Sequence, residues 1–508
     1  MAKPVRHGKM LGCRDVPNSS PHPMSLSTVE AAGQRRWGSL ILVASLLAGA
    51  ALRAWLSLHD DGIYWPDEIY QSLEPAHRLV YGYGLIAWEF VEGARSWALP
   101  GVVAAILKAS ALFGGTQPRT YLLVDRLFFS AVGTATAYAT YQLARTYGAS
   151  RLAGACAAAL FALSAPAIYF APRAMSETAS ALPVVLAFVL CLRRDASRWE
   201  RIAGASLLGL SVMLRLQNGL FCIGLVALFA ARRQWAALLQ TACTLAVWAL
   251  LFGLLDKLTW GGWFHSAVVY LRANVIERKA EQWGVSPFSY YARALWTSMP
   301  FPSLVIAPLA ALSIARAPGL ASLPIGFVLL HSLIPHKELR FIFPAVPLLC
   351  ALAGIGISVL EGKLKRAISI FAAAAALCAA TVSAVRFHGL TFGDLGQYET
   401  LKPGASAYDD FGPVNRLLLA ANGQPDLCGL KVEVVHLAWT GGFTYLHRPV
   451  PLYAHFGPPR ESGRFNYVIT FAPLAAPGQV VGSEGNLALV RLPVQSCAFD
   501  PGYQWRLP

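Results

Sequence analysis

Along this chain the apolar residues gather in long blocks separated by short polar breaks. Stretches near the roughly 20 residues needed to cross hydrocarbon recur at 39 to 58, 120 to 143, 151 to 170, 177 to 192, 201 to 215, 218 to 230, 236 to 255, 293 to 314, 319 to 335, 339 to 360 and 367 to 385. They predict about eleven membrane-spanning helices, the shortest lying between 201 and 230. After residue 386 the pattern changes. Residues 387 to 410, "FHGLTFGDLGQYETLKPGASAYDD", are punctuated by Gly and Pro and read as a linker. Beyond them, "VNRLLLAANG" predicts a short helix closed at Asn422-Gly423, and "KVEVVHL", "FNYVITF" and "NLALVRL" alternate as strands do. The expected fold is an all-α polytopic membrane protein over 37 to 386 with a small C-terminal α/β domain, 411 to 508, outside the membrane. Residues 1 to 36 are polar and basic and predict a disordered segment, with Met24 as an alternative start. The first apolar run is too long for a signal-peptide core and is expected to stay as an uncleaved helix.

Composition agrees with this picture. Of 508 residues 56% are hydrophobic and only 14% charged, with mean hydropathy +0.48, where a soluble domain carries about a quarter charged residues. The formal charge of +15 comes largely from Lys and Arg in short loops, which stay on the cytoplasmic side. With the N-terminus inside, Arg145/Arg151, Arg193/Arg194/Arg198/Arg201, Arg232/Arg233, Arg316 and Lys363/Lys365/Arg366 all fall inside. The basic balance is therefore topological, and no nucleic-acid partner is expected. The first outer loop, 59 to 119, the loops 256 to 292 and 336 to 340, and everything after 386 fall on the far side. That far side is the periplasm of a bacterial inner membrane, or the lumen of the endoplasmic reticulum in a eukaryote. Cys428 and Cys497 share the outer segment, where a disulfide is one open pairing.

Scarce acids collect in that first loop: Asp61, Asp67, Glu68, Glu74, Glu89 and Glu92. Ile69, Leu73, Ala76 and Val80 form a helical apolar stripe, with Glu68, Glu74 and Arg78 off it, as in a helix lying in the membrane interface. Pro75 predicts a kink. In "WPDEIY", Asp67 at a helix start suits either a general base or a helix cap. "HKELRF" sets His336, Lys337, Glu338 and Arg340 at the membrane edge, fit either for a lipid-linked phosphate or for snorkelling at a helix end. Asp125/Arg126, Arg173, Glu177 and Arg215 are charges at membrane depth or edge, and such groups default to functional readings; for Asp125/Arg126 a structural ion pair and a ligand contact both stand. His436, Trp439, Tyr445 and His447 either line an acceptor path or pack the outer domain. There is no GxxxxGK[ST], HExxH or GxSxG.

Three ordered segments, "WPDEIYQSLEPAHRLVYGYGLIAWEF" with "ARSWALPG", "LDKLTWGGWFHSAVVYLRANVIERKAEQWGVSPFSYYARALWTSMP" and "HKELRFIFPAVPLL", resemble glycosyltransferase family 22. These GT-C enzymes take mannose from a polyprenyl-phosphate carrier, and the third mannosyltransferases of GPI-anchor assembly and their bacterial homologues are nearest by motif. The resemblance covers roughly residues 37 to 385. It implies catalytic roles for Asp67, as base, and Glu68, and donor-phosphate binding by His336, Lys337 and Arg340. Glu74, His77, Glu89 and Arg95 sit in the same loop pattern and, with Arg173 and Arg215, are expected at the substrate. The implied partners are a polyprenyl-phosphate sugar, a lipid or glycan acceptor and the bilayer. No metal is obligatory, although an acidic cluster suits Mg²⁺ or Ca²⁺. Two other readings share these features: the same fold with another polyprenyl-phosphate sugar, and a transporter or flippase of a lipid-linked saccharide.

Overall fold

The computed structural model describes residues 26–363, 366–398, 402–474, 478–494 and 496–507. Each apolar block is helical, but few blocks form one long rod. Among the described residues, four helices are long and apolar enough to cross a membrane: Arg36–His59, Trp235–Trp260, Leu339–Gly362 and Ala367–Val385. About eleven were expected, and the remaining blocks are helices that are shorter or less apolar. Proline and short breaks divide some blocks, because Pro gives no N–H to the preceding turn, whereas Pro118–Thr146 is one unbroken helix whose charged residues lower its hydropathy. The block 151 to 170 divides into Arg151–Ala162 and Ala165–Tyr169, with Pro166 opening the second helix. The block 293 to 314 divides into Tyr290–Ser298 and Pro300–Ser313. The first helix begins at Leu26, earlier than the expected boundary at 37; the rest of the segment expected to be disordered, 1 to 25, lies outside the described residues.

The Arg151–Ala162 helix is the hub, with Leu26–His59, Pro118–Thr146, Val346–Lys363 and Arg366–Val385 packed on it. Its sequence, RLAGACAAALFA, explains why: small side chains let backbones come close. A Cβ on the facing Gly354 would lie 2.7 Å from the Ala153 carbonyl.

The outer layer is built differently from the sequence picture. The first loop folds as Pro66–Glu68, a wide π-turn Ile69–Leu73, Glu74–Tyr81, Trp88–Glu92 and Ala98–Leu112. The wide turn precedes Pro75, which has no N–H for the Gln71 carbonyl. Gly82, at φ +88°, closes Glu74–Tyr81 in the left-handed region. The loop does not lie alone at an interface with its acids off the buried face: Ile69, Tyr70 and Leu73 share one hydrophobic core with Leu417, Leu430 and Phe443 of the C-terminal domain, and Glu74 is fully buried between them.

That domain carries the helix Gly412–Asn422 and a five-stranded sheet ordered β2-β1-β3-β5-β4. Its strands are β1 (Leu430–Val432), β2 (Leu452–Tyr453), β3 (Tyr467–Phe471), β4 (Gln479–Glu484) and β5 (Leu487–Arg491). β1 runs parallel to β2 and β3, and β5 is antiparallel to β3 and β4. Cys428 and Cys497 form a disulfide. The segment expected as a linker is fastened down where it is described: Leu390, Leu395 and Ala407 are buried, Tyr290 donates to the Gly396 carbonyl at 2.8 Å and Tyr169 to the Ala407 carbonyl at 2.9 Å.

Candidate active site

Asp67 sits in the first turn of Pro66–Glu68, and the cap position, Trp65, carries no side-chain cap. Its carboxylate does not cap that helix. Instead Arg340 Nη2 donates to Asp67 Oδ2 at 2.5 Å, bringing together two motifs far apart in sequence. Arg340 is itself held by Glu338, through Nε to Oε2 at 2.8 Å and Nη2 to Oε1 at 3.0 Å, and His336 Nε2 lies 3.2 Å from Glu338 Oε1. Burial would raise the Glu338 carboxyl, but Arg340 and His336 outweigh it and hold it at about 2. His336 is lowered by burial and raised more strongly by Glu338, ending above its usual value. The chain His336–Glu338–Arg340–Asp67 thus fixes one carboxylate oxygen and leaves Oδ1 without a described partner, on a side chain that is 22% exposed.

Asp67 and Arg340 line an open cleft, together with Gln71, Arg95, Glu177 and Arg215. Arg215 pairs with Glu177 and donates to the Phe341 carbonyl at 3.2 Å. Glu89 lies behind this wall, accepting from Gln71 Nε2 at 2.8 Å. Burial pushes its carboxyl up to about 7, with Arg95 opposing the shift and the negative charge of Asp67 adding to it. Among the described residues no three His, Cys, Asp or Glu side chains cluster as metal ligands do.

The structure sends five expected site residues, Glu68, Arg173, Glu74, His77 and Lys337, elsewhere. Glu68, next to Asp67, faces away and binds Arg173 at 2.8 Å; Arg173 also binds Asp60 at 2.8 Å, forming a buried acid–Arg–acid triad. Glu74 accepts from the backbone N–H groups of Leu85, Phe443 and Thr444 and from the Thr444 hydroxyl. His77 Nε2 meets His447 Nδ1 at 2.9 Å in the same interface, and burial drops the His77 imidazole to about 3. Lys337 gives its ammonium to the carbonyls of Ser286, at 2.7 Å, and Pro335, and burial lowers it. Asp125 and Arg126 do not pair with each other: Arg126 bonds Asp61 at 3.3 Å and Tyr445 at 2.5 Å. Trp439 packs on Trp65 and Phe411, and His436 accepts from the Ala438 N–H, so these aromatic and His positions pack the outer layer. Asp60, paired with Arg173, and Gln71, Gln217 and Tyr270, which also line the cleft, were not singled out from sequence. Asp60 carried one signal, its place at the very end of the first apolar block.

The architecture is that of GT-C membrane glycosyltransferases. ArnT from Cupriavidus metallidurans, solved with undecaprenyl phosphate, matches with a TM-score of 0.57 at 15% identity, over 91% of this chain and 99% of its own. The Archaeoglobus fulgidus oligosaccharyltransferase, tethered with an acceptor peptide, matches at 0.53 and 14% identity, over 86% of this chain and 69% of its own. The chain belongs to the Alg9-like mannosyltransferase family, whose profile matches residues 45–402. GPI mannosyltransferase 3 of Yarrowia lipolytica is 31% identical over 335 residues, 63% of this chain and 63% of its own length. GPI alpha-1,2-mannosyltransferase 3 of Homo sapiens is 24% identical over 350 residues, 66% of this chain and 61% of its own length. In both relatives the match spans less than two thirds of the protein.

Proposed function

We propose that this membrane protein transfers mannose, with inversion, from a polyprenyl-phosphate mannose to a lipid or glycan acceptor at the outer, periplasmic or lumenal face, with Asp67 as general base. The observation that carries the reading is the Asp67–Arg340 pair on the wall of an open cleft. Held by one oxygen, the carboxylate keeps the other for the acceptor hydroxyl. Asp67 takes that proton as the acceptor oxygen attacks the sugar's C1 from the face opposite the phosphate. The C1–O bond to phosphate breaks, and the electron pair leaves with the carrier. A positioned base contributes about 10²- to 10⁴-fold, and an electrostatic contact to developing charge roughly 3 to 4 kcal/mol. Arginines of the cleft supply the second contribution. Phosphate leaves well, so no second carboxylic acid is needed, unlike in glycoside hydrolases.

We propose further that transfer needs no metal: Asp67 is paired with Arg340 and Glu177 with Arg215, so arginine does the work a cation would do. The test is transfer of radiolabelled mannose from polyprenyl-phosphate mannose to lipid extract by purified protein, with Asp67→Ala as control. Label should move only with the unsubstituted protein, and equally in EDTA. Transfer that survives in the variant would overturn the base; transfer that stops in EDTA would overturn the metal-free reading.

A further inference from the structure

The polar groups lining the cleft are of two kinds. Most of the ions pair with one another: Asp67 with Arg340 at 2.5 Å, Arg340 with Glu177 at 3.7 Å, and Glu177 with Arg215. Beside them stand neutral side chains, among them the amides of Gln71 and Gln217. Gln71 belongs to the wide turn Ile69–Leu73 of the first outer loop, and Gln217 to the short turn Leu216–Asn218 that follows the helix Arg198–Leu214. Two elements far apart in sequence thus bring one amide each to the same cleft.

Each amide is pinned by one N–H. Gln71 Nε2 donates to Glu89 Oε1 at 2.8 Å, and Gln217 Nε2 donates to the Tyr270 hydroxyl. The Tyr270 ring is set in turn by the Arg95 guanidinium, 5.5 Å from its centre, a favourable contact for a cation. Among the described residues neither Oε1 accepts a hydrogen bond, and both side chains are half-buried. Each amide therefore presents one acceptor and one remaining N–H side by side. A sugar hydroxyl both gives and takes a hydrogen bond. Arginine only donates and an ionised carboxylate only accepts, whereas one side-chain amide serves both needs. Position agrees with chemistry: with Asp67 as base, the acceptor oxygen lies at Asp67 and the sugar's C1 next to that oxygen, so the transferred ring occupies the cleft that Asp67, Gln71 and Gln217 all line.

We propose that Gln71 and Gln217 select the transferred sugar, holding its ring hydroxyls from two walls of the cleft, with the amides fixed by Glu89 and Tyr270. The inference rests on the proposed polyprenyl-phosphate sugar chemistry and adds which residues read the sugar.

Binding of farnesyl phosphate mannose, farnesyl phosphate glucose and bare farnesyl phosphate to the full chain in nanodiscs tests it without turnover. Gln71→Met and Gln217→Met keep the length of the side chain and remove its polar atoms. Each should weaken farnesyl phosphate mannose about three- to tenfold, the loss of neutral hydrogen bonds, and leave farnesyl phosphate unchanged. Tyr270→Phe, which frees the Gln217 amide while keeping the ring beside Arg95, should give a smaller loss confined to the sugar-bearing ligand. Melting temperatures of all variants are compared with that of the unsubstituted protein, so that a fold defect is separated from a lost contact. A methionine variant that weakens neither ligand, or weakens both equally at an unchanged melting temperature, would overturn the role of that glutamine while leaving the mannosyl-transfer reading intact. Tighter binding of the glucose ligand than of the mannose ligand, lost in both methionine variants, would keep the subsite and sink mannose as the sugar. Binding of none of the three ligands by the unsubstituted protein would sink both.

Discussion

Asp67 and Glu68 are neighbours with opposite environments, and substitution should separate them. Asp67→Asn keeps a hydrogen-bond acceptor for Arg340 but removes the proton acceptor, so transfer should fall by 10² or more with the melting temperature unchanged. Glu68→Ala strips one carboxylate from a buried triad with Arg173 and Asp60. Breaking such a pair costs about 3 to 5 kcal/mol, so this variant should lose folded protein, and activity only in proportion. Thermal melts beside transfer assays decide; equal activity loss per folded molecule in both variants would contradict the division. Glu89 adds a pH signature. Its folded value of about 7 lies above the usual 4.5, so the folded state holds the extra proton. The associated stability is fully present below about 4.5 and is lost as pH rises through 7. Glu89→Gln should flatten that part of the melting-temperature profile, and a profile identical to the unsubstituted protein would refute the shift.

At the scale of elements, hydropathy located every helical block but not its breaks. A window of apolar residues does not register that Pro166 or Pro300 splits a helix. The stripe of Ile69, Leu73, Ala76 and Val80 was legible, as were β3, β5 and the helix ending at Asn422. Edge strands were not: β4 is largely exposed and carries Gly482, and β2 is two residues beside Pro451. Nor was the fate of Glu74. An acid off an apolar stripe reads as solvated, and only tertiary structure reveals that it receives the N-terminal N–H groups of Gly442–Leu446, a favourable place for a carboxylate. The Asp67–Arg340 contact was likewise accessible only through family motifs, since nothing local joins residues so distant. Glu74→Ala would leave four buried donors unpaired, each worth about 1 to 3 kcal/mol when unsatisfied. The outer domain should then loosen from the first loop, and limited proteolysis should cut within 387 to 410 faster than in the unsubstituted protein; unchanged cleavage would show that the shared apolar core suffices.

Across the whole molecule the charges sort to two ends. Ser150 bonds Glu361, and Arg316 donates to the Tyr147 carbonyl, so the ends of several helices with basic loops meet there. Asp67, Arg95, Glu177, Arg215 and Arg340 meet at the cleft, under a domain closed by a disulfide. Shortening some helices leaves this alternation intact, because each block still delivers the chain from one end to the other. A disulfide suits an oxidising compartment, and basic loops suit the cytoplasm; the proposed topology, with the N-terminus inside, puts the two ends in opposite compartments. Asp195 and Glu461 are exposed, one at each end. In intact cells or right-side-out vesicles, a membrane-impermeant maleimide should label Glu461→Cys directly and Asp195→Cys only after permeabilisation, above the background of the unsubstituted chain. The reverse order would put the cleft on the cytoplasmic side and overturn the proposed topology.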